Sequence, residues 1–259
     1  MRVWVTTFDV NRVDELKQLY EQALPILDAD ARTQVERYYH FVDSFRGLVG
    51  RLLIRKLLKD HGVPLHAMTF ATTSARKPYI TTAALPTPIG YNITHDNGVV
   101  AMAYATGPEL SPHPPTYRVG LDVMLLQLPR RVGYAAFVES VSDQLTERER
   151  QLLQLSADVG LEESLRKFYL IWTLKEAYTK ALGLGLGFDF SRIEYDVPRD
   201  VVRIDGVAPE GWTFVRFDLQ RAEDAYVGVV AQYIGDKAVP SAAGTVEHRE
   251  AGEWIEVHD

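Results

Sequence analysis

The stretch FYLIWTLKEAYTKALGLGLGF, residues 168–188, decides how this chain folds. Leu165, Phe168, Tyr169, Trp172, Ala177 and Ala181 recur at steps of three and four, the period of a helix with one face on a core. Lys175, Glu176, Thr179 and Lys180 sit inside that pattern. Glu176 and Lys180 stand four residues apart and so share one face. Charges placed where apolar residues would pack better give up stability. The spacing fits a surface ion pair and a functional pair alike. The glycines at 183, 185 and 187 follow this helix and lead to an extended segment. A dinucleotide loop has the reverse order, strand then glycines then helix, so these read as a helix stop and a close turn.

On either side of this helix the chain alternates between helical and extended patterns. Residues 43–59 form a helix with Phe45, Leu48, Val49, Leu52, Leu53 and Leu57 on its apolar face. Arg51, Arg55 and Lys59 make an i+4 stripe opposite, which reads as a solvated face, with the wall of an anion site as the alternative. His61-Gly62 and Pro64 end it. Extended runs follow at 68–72 and at 91–94 with 99–105, the last two joined as a hairpin across Asp96-Asn97-Gly98. Four prolines within 107–118 mark a loop or linker. The second half opens with a strand at 117–126 and a helix at 132–145, then a capping box, Thr146-x-x-Glu149. Strands at 193–197, 201–204, 212–218 and 226–234 come after the long helix.

YNITHDNGVVAMAYA (91–105) and FDLQRAEDAYVGVVAQY (217–233) echo each other as strand–turn–strand units, each downstream of a long helix. The expected fold class is therefore α+β: two similar α+β halves, 1–110 and 111–235, with a ligand in the cleft between them. Residues 236–259 turn polar and acidic and read as a mobile tail, with Trp254 a late anchor.

Composition bounds the chemistry. Of 259 residues, 46% are hydrophobic and 24% charged, as in a soluble globular protein. No cysteine is present, which excludes disulfides and thiolate metal sites and suits a reducing, cytoplasmic location. MRVWVTTFDV alternates like a strand and lacks a signal peptide's features, and no apolar run reaches the ~18 residues of a membrane span. A net charge of −7 argues against general nucleic-acid binding, so an anionic ligand needs a local basic pocket.

Several residues carry candidate chemistry. Asp122, in the apolar run VGLDVM, is either a strand-end residue or a hard-metal ligand. With Glu176 it would supply the carboxylate pair that Mg²⁺ takes beside phosphate oxygens and waters. Arg76-Lys77-Pro78 sets two cations on a proline-stiffened backbone, suited to a phosphate or simply a basic loop. His95 follows Asn92-Ile93-Thr94 at a hairpin tip, where it is solvated, binds a phosphate or shuttles a proton.

In order along the chain, Lys77-Pro78, Asn92-Ile93-Thr94-His95, Gly120-Leu121-Asp122-Val123-Met124 and Trp172-x-x-Lys175-Glu176-Ala177-x-x-Lys180 resemble the 4′-phosphopantetheinyl transferases. Arg37-Tyr38-Tyr39-His40-x-x-Asp43 and the helix segment GRLLIRK (50–56) also fit the resemblance, which runs from about Ala31 to Ile234. It points to the larger, surfactin-synthetase-activating type, an intramolecular pseudo-dimer with its active site in the cleft. The closest pattern is that of the eukaryotic, lysine-pathway (aminoadipate-semialdehyde dehydrogenase) transferases. The resemblance implies a holo-acyl-carrier-protein synthase activity: Mg²⁺-dependent transfer of 4′-phosphopantetheine from coenzyme A to a serine of an apo carrier protein, releasing adenosine 3′,5′-bisphosphate. It implies Asp122 and Glu176 as metal ligands, and Glu176, Lys180 and Asp122 as catalytic residues. Arg76, Lys77, Pro78, Asn92, Thr94, His95 and Lys180 would bind coenzyme A. The client would be a fatty-acid, polyketide, nonribosomal-peptide or aminoadipate-reductase carrier, received by a basic or apolar patch such as Arg51, Arg55 and Lys59. A monomer suffices, with no nucleic-acid or membrane partner.

Two positions depart from the family pattern. Met124 stands where bacterial members have a second acidic residue, and a thioether is no ligand for a hard cation. Ala31 and Gln34 stand where members carry cations for the 3′-phosphate of coenzyme A, with Arg32 as the nearby substitute. These departures motivate the alternative, a non-catalytic coenzyme A or carrier-protein binding module of the same fold.

Overall fold

A computed structural model describes residues 1–83, 85, 87–107, 110, 117–155, 160–184, 187–235 and 245–256. In chain order the elements are β1 (Arg2–Thr7), α1 (Val13–Ala23), α2 (Ala29–Glu36), α3 (Phe41–Asp60), β2 (Phe70–Thr72), β3 (Pro78–Ile80), β4 (Ile89–Asp96) and β5 (Val99–Thr106). Then come β6 (Val119–Leu125), α4 (Tyr134–Glu139), α5 (Glu147–Leu152), α6 (Leu161–Leu182), β7 (Ile193–Asp196), β8 (Val201–Ile204), β9 (Trp212–Arg221), β10 (Asp224–Tyr233), β11 (Thr245–Glu250) and α7 (Ala251–Glu256). The chain divides into two α+β units, Met1–Tyr117 with Ala243–Asp259, and Arg118–Ala242. Most of the proline-rich stretch 107–118, and Gly185-Leu186 of the glycine run, lie outside the described residues.

The first unit is built on a four-stranded sheet in the order β11-β1-β5-β4. β4 and β5 form the expected hairpin, with Asn97 at φ +45° in its two-residue loop. Gly98 is required there because a Cβ would stand 2.3 Å from the carbonyl oxygen of Phe8, whose N–H bonds to Gly98 O. α3 buries Phe45, Val49, Leu53 and Leu57 in the main core. It buries Leu48 and Leu52 in a second cluster with Ala31 and Val35 of α2.

That second contact overturns the reading of Arg51, Arg55 and Lys59 as one solvated stripe or patch. α2 covers this side of α3, and Arg55 is 5% exposed. Its guanidinium donates to Asp28 Oδ2 and to Arg51 O, and lies 5.0 Å over the Phe70 ring. Asp28 also caps α2 through Ala31 N, so one carboxylate serves a helix end and a buried cation.

The segment expected as a mobile tail is instead structured over 245–256, with 236–244 and 257–259 outside the described residues. β11 pairs in parallel with β1 from Arg2↔Thr245 to Thr7↔Glu250. α7 then places Trp254 in the core at 3% exposure, its ring 4.8 Å from that of Trp4. Backbone pairing along β1 and burial of one indole order a stretch whose polar composition alone argues against packing.

In the second unit β6, β10 and β9 form an antiparallel sheet in that order, and β7 and β8 a separate pair. α6 packs on β6 and β10. Its apolar face buries Leu165, Phe168, Tyr169, Ala177 and Ala181, as the periodicity predicts; Trp172 of the same series is only half-buried, and Leu174 is buried as well. The helix stops at Gly183, in the left-handed region at φ +72°. Gly183 N donates to Lys180 O and Leu184 N to Thr179 O, a Schellman ending that uses the last carbonyls. The helix expected over 132–145 is shorter. α4 ends at Glu139, Ser140 Oγ bonds back to Phe137 O at 2.7 Å, and a 3-10 turn, Ser142–Gln144, follows. Among the described residues no helix is long and apolar enough to cross a membrane.

Candidate active site

Strand alternation puts Gly120, Asp122 and Met124 on the β6 face that meets α6. Gly120 sets the distance: a Cβ there would lie 2.0 Å from Ala177 O and 2.3 Å from Ala181 N. With only hydrogen at that position, the helix backbone rests directly on the strand. Two residues on, Asp122 is 4% exposed and opposite the last turns of α6. Lys180 Nζ donates to Asp122 Oδ1 at 2.6 Å. Glu176, one turn earlier, is half-buried. Burial pushes its carboxyl above the usual range; the Lys180 charge opposes this and the Asp122 charge adds to it. Asp122, Glu176 and Lys180 are thus brought together; spacing places only Glu176 and Lys180 on one face, and the strand–helix packing brings Asp122 to them. Met124 packs against the apolar core of the unit.

Two carboxylates within reach of each other's charge, one of them lifted by desolvation, fit a hard divalent cation. Among the described residues no group of three or more His, Asp or Glu side chains gathers. Two carboxylates still match Mg²⁺, which takes its other oxygens from phosphate and water.

The neighbour of Glu176 has a different environment. Lys175 is fully buried and donates to Gln144 O at 2.8 Å, Glu149 Oε2 at 2.6 Å and Phe190 O at 3.0 Å. Glu149 is the third residue of α5, and its capping box with Thr146 forms as expected. Its Oε1 accepts from Tyr195 N at 2.9 Å. The capping box was legible in the sequence, whereas the second use of Glu149, with a lysine 26 residues away, left no local signal.

The other candidates lie in the first unit. Arg76 is exposed, at φ +64° in a tight turn where Thr73 N bonds Lys77 O. Lys77 is 5% exposed, and its Nζ donates to Tyr117 O at 3.0 Å. Pro78 opens β3. Asn92 and Thr94, each 6% exposed, share one face of β4. His95 falls on the other face and is exposed. It is not at the hairpin tip but within β4, opposite Val100. Arg32, the suggested substitute cation, donates from Nη2 to Pro25 O and Leu27 O, both at 3.3 Å. Gln34 accepts from Arg51 at 2.8 Å. A cavity of about 510 Å³ in the second unit, lined by Arg148, Glu149, Gln151, Tyr195, Asp196 and Arg199, contains none of the candidate residues.

Two family models match the chain, one over each unit, and the one over the second unit covers Asp122, Glu176 and Lys180. Residues 118–230 match the 4′-phosphopantetheinyl transferase superfamily. Residues 14–107 match the 4′-phosphopantetheinyl transferase N-terminal family. The chain belongs to the 4′-phosphopantetheinyl transferase superfamily and is an enzyme of that class. It is 46% identical to the 4′-phosphopantetheinyl transferase pptA of Paxillus involutus over 241 residues, 92% of this chain and 89% of the relative. It is 29% identical to the L-aminoadipate-semialdehyde dehydrogenase-phosphopantetheinyl transferase of Mus musculus over 178 residues, 68% of this chain. The protein of that name in Schizosaccharomyces pombe is 28% identical over 69% of this chain. The matched part spans 54% of the mouse protein and 64% of the yeast one.

Proposed function

We propose that this enzyme moves the 4′-phosphopantetheine arm of coenzyme A onto a serine hydroxyl of an apo carrier protein, releasing adenosine 3′,5′-bisphosphate. The observation that carries this reading is the junction of β6 and α6, where Asp122, Glu176 and Lys180 converge. Asp122 and Glu176 would hold Mg²⁺, which when bound neutralises the diphosphate that the serine must approach.

The residues of the chain supply the rest. Lys180 presents a fixed ammonium, held by Asp122, to the phosphoryl oxygens and to the charge that develops on the leaving bisphosphate. As the serine oxygen bonds to phosphorus, the P–O bond to the bisphosphate breaks and the serine proton passes to Glu176 or to a water it holds. A carboxylate bound to Mg²⁺ is a weak base, which makes the water it holds at least as good an acceptor for that proton. Arg76, Lys77, Pro78, Asn92, Thr94 and His95 are assigned to coenzyme A from their order in the motif. The relatives named for aminoadipate-semialdehyde dehydrogenase favour a client of that kind, with polyketide and nonribosomal-peptide carriers as the other classes. We place the enzyme in the cytoplasm, acting as a monomer.

Purified protein with Mg²⁺, coenzyme A and an apo carrier should add the mass of one phosphopantetheine to the carrier. Glu176→Ala should lower the rate by at least about 10²-fold. An unaltered rate in that variant would refute the roles given to Glu176.

A further inference from the structure

We propose that Lys175 and Glu149 are a positioning pair that fixes the roll of α6 and thereby aims Glu176 and Lys180 at Asp122. Neither residue meets substrate. The inference rests on the metal reading of Asp122 and Glu176 given above.

The pair is saturated. The Lys175 ammonium has three donors, and all three are used, on Gln144 O, Glu149 Oε2 and Phe190 O. The Glu149 carboxylate receives Lys175 and Thr146 N on one oxygen and Tyr195 N on the other. At 0% and 1% side-chain exposure, the two groups are closed to solvent. A general acid or base needs a proton or lone pair that can be exchanged with substrate, and groups this closed to solvent offer none.

The placement explains what the pair does. The acceptors come from three separate segments: the 3-10 turn Ser142–Gln144, the first turn of α5, and the 3-10 turn Phe190–Arg192. Successive side chains of a helix project ~100° apart, so a post at Lys175 sets the direction of Glu176 and, one turn later, Lys180. On its other side α6 lies backbone to strand at Gly120. That contact sets how close the helix comes to β6, but a smooth seat at a glycine does not stop the helix from rolling. The apolar face of α6 resists that roll on the core side, and the Lys175 bonds add three directed ties to it. Two apolar side chains of equal volume would fill the same space but would strand Gln144 O, Phe190 O, Thr146 N and Tyr195 N, so the pair ties α6 to these segments in a way that packing alone would not.

Removing only the lysine would strand a buried carboxylate and could unfold the unit, so the test uses the double variant Lys175→Met/Glu149→Gln. The neutral amide keeps an acceptor for the Thr146 or Tyr195 N–H. The expected result is a protein that still unfolds cooperatively, at a lower denaturation midpoint, with Mn²⁺ affinity, read from the free-ion EPR signal without coenzyme A, about tenfold weaker. The kcat should fall while the KM for coenzyme A holds. Wild-type Mn²⁺ affinity and kcat in the folded double variant would overturn the proposal. Glu176→Ala separates the two readings: if it binds Mn²⁺ as the unaltered protein does, the metal assignment itself fails. Because the chain has no cysteine, Lys175→Cys can be alkylated with bromoethylamine while unfolded and then refolded, which restores an ammonium at that one position. Recovery of Mn²⁺ affinity and kcat supports the pair. A refolded, alkylated protein that recovers neither refutes it.

Discussion

Asp122 meets two demands at once, a lysine at 2.6 Å and a second carboxylate one helical turn from that lysine. Lys180 therefore stabilises the metal-free protein, apart from the role proposed for it in the reaction. Lys180→Ala should lower stability by about 1–3 kcal/mol without added metal, because a buried carboxylate loses its charged partner. Added Mg²⁺ should then raise the melting temperature more in the variant than in the unaltered protein; equal shifts in the two would count against a shared cation site. Gly120→Ala tests the seat beneath. With backbone atoms 2.0 and 2.3 Å from the new Cβ, α6 must move, and urea denaturation should show a loss of about 3 kcal/mol or more. At this scale the residues of the candidate site were legible, and their meeting was not. An aspartate in an apolar strand and a Glu-x-x-x-Lys step on a core helix are conspicuous because each violates the pattern around it. Lys175 was conspicuous too, but its partner is set by tertiary packing, and residue spacing carries no trace of that.

Among the elements, the long helices and the β4–β5 hairpin follow from periodicity and from Asn97-Gly98, and they stand where the chain pattern puts them. β11 does not announce itself. Its residues, TVEHRE, show almost no apolar alternation, because an edge strand whose faces are largely exposed needs none. What holds it is backbone pairing with β1, together with Thr7, whose hydroxyl donates to Glu250 Oε1 at 2.9 Å and meets His248 Nε2 at 3.0 Å. Trp254 is the anchor that composition does reveal. Trp254→Ala should cost about 3–5 kcal/mol in chemical denaturation, since the indole packs on Trp4 under the Arg249 guanidinium. A loss below about 1 kcal/mol would mean that α7 is not part of that core.

For the whole molecule, acid should be the sharper stress. Burial alone would lift the Asp196 carboxyl, but the Arg199 hydrogen bond and the Arg148 and Arg199 charges outweigh it and hold it below its ordinary value of 3.8. Asp28 is likewise depressed: burial raises it, and the Ala31 N–H and Arg55 prevail. A carboxyl with a lower pKa in the folded than in the unfolded chain contributes stability above about pH 4 and loses it as pH falls through its folded value. Such groups lie in both units, so unfolding free energy measured from pH 6 downward should drop below about pH 4. Asp196→Asn should flatten that limb; an unchanged slope would mean that the Arg148–Asp196–Arg199 contact is not formed in solution.

β11 has a further consequence for how the protein comes into being. A ribosome releases residues in order, at about 5–20 per second. When β1, β4 and β5 have emerged, the outer neighbour of β1 does not yet exist, because some 140 residues separate Thr106 from Thr245. The second unit, contiguous from Arg118 to Ala242, has all its strands before the first has its last one. The half made first is thus the half finished last, and the open flank of β1 is where a nascent chain would need shelter.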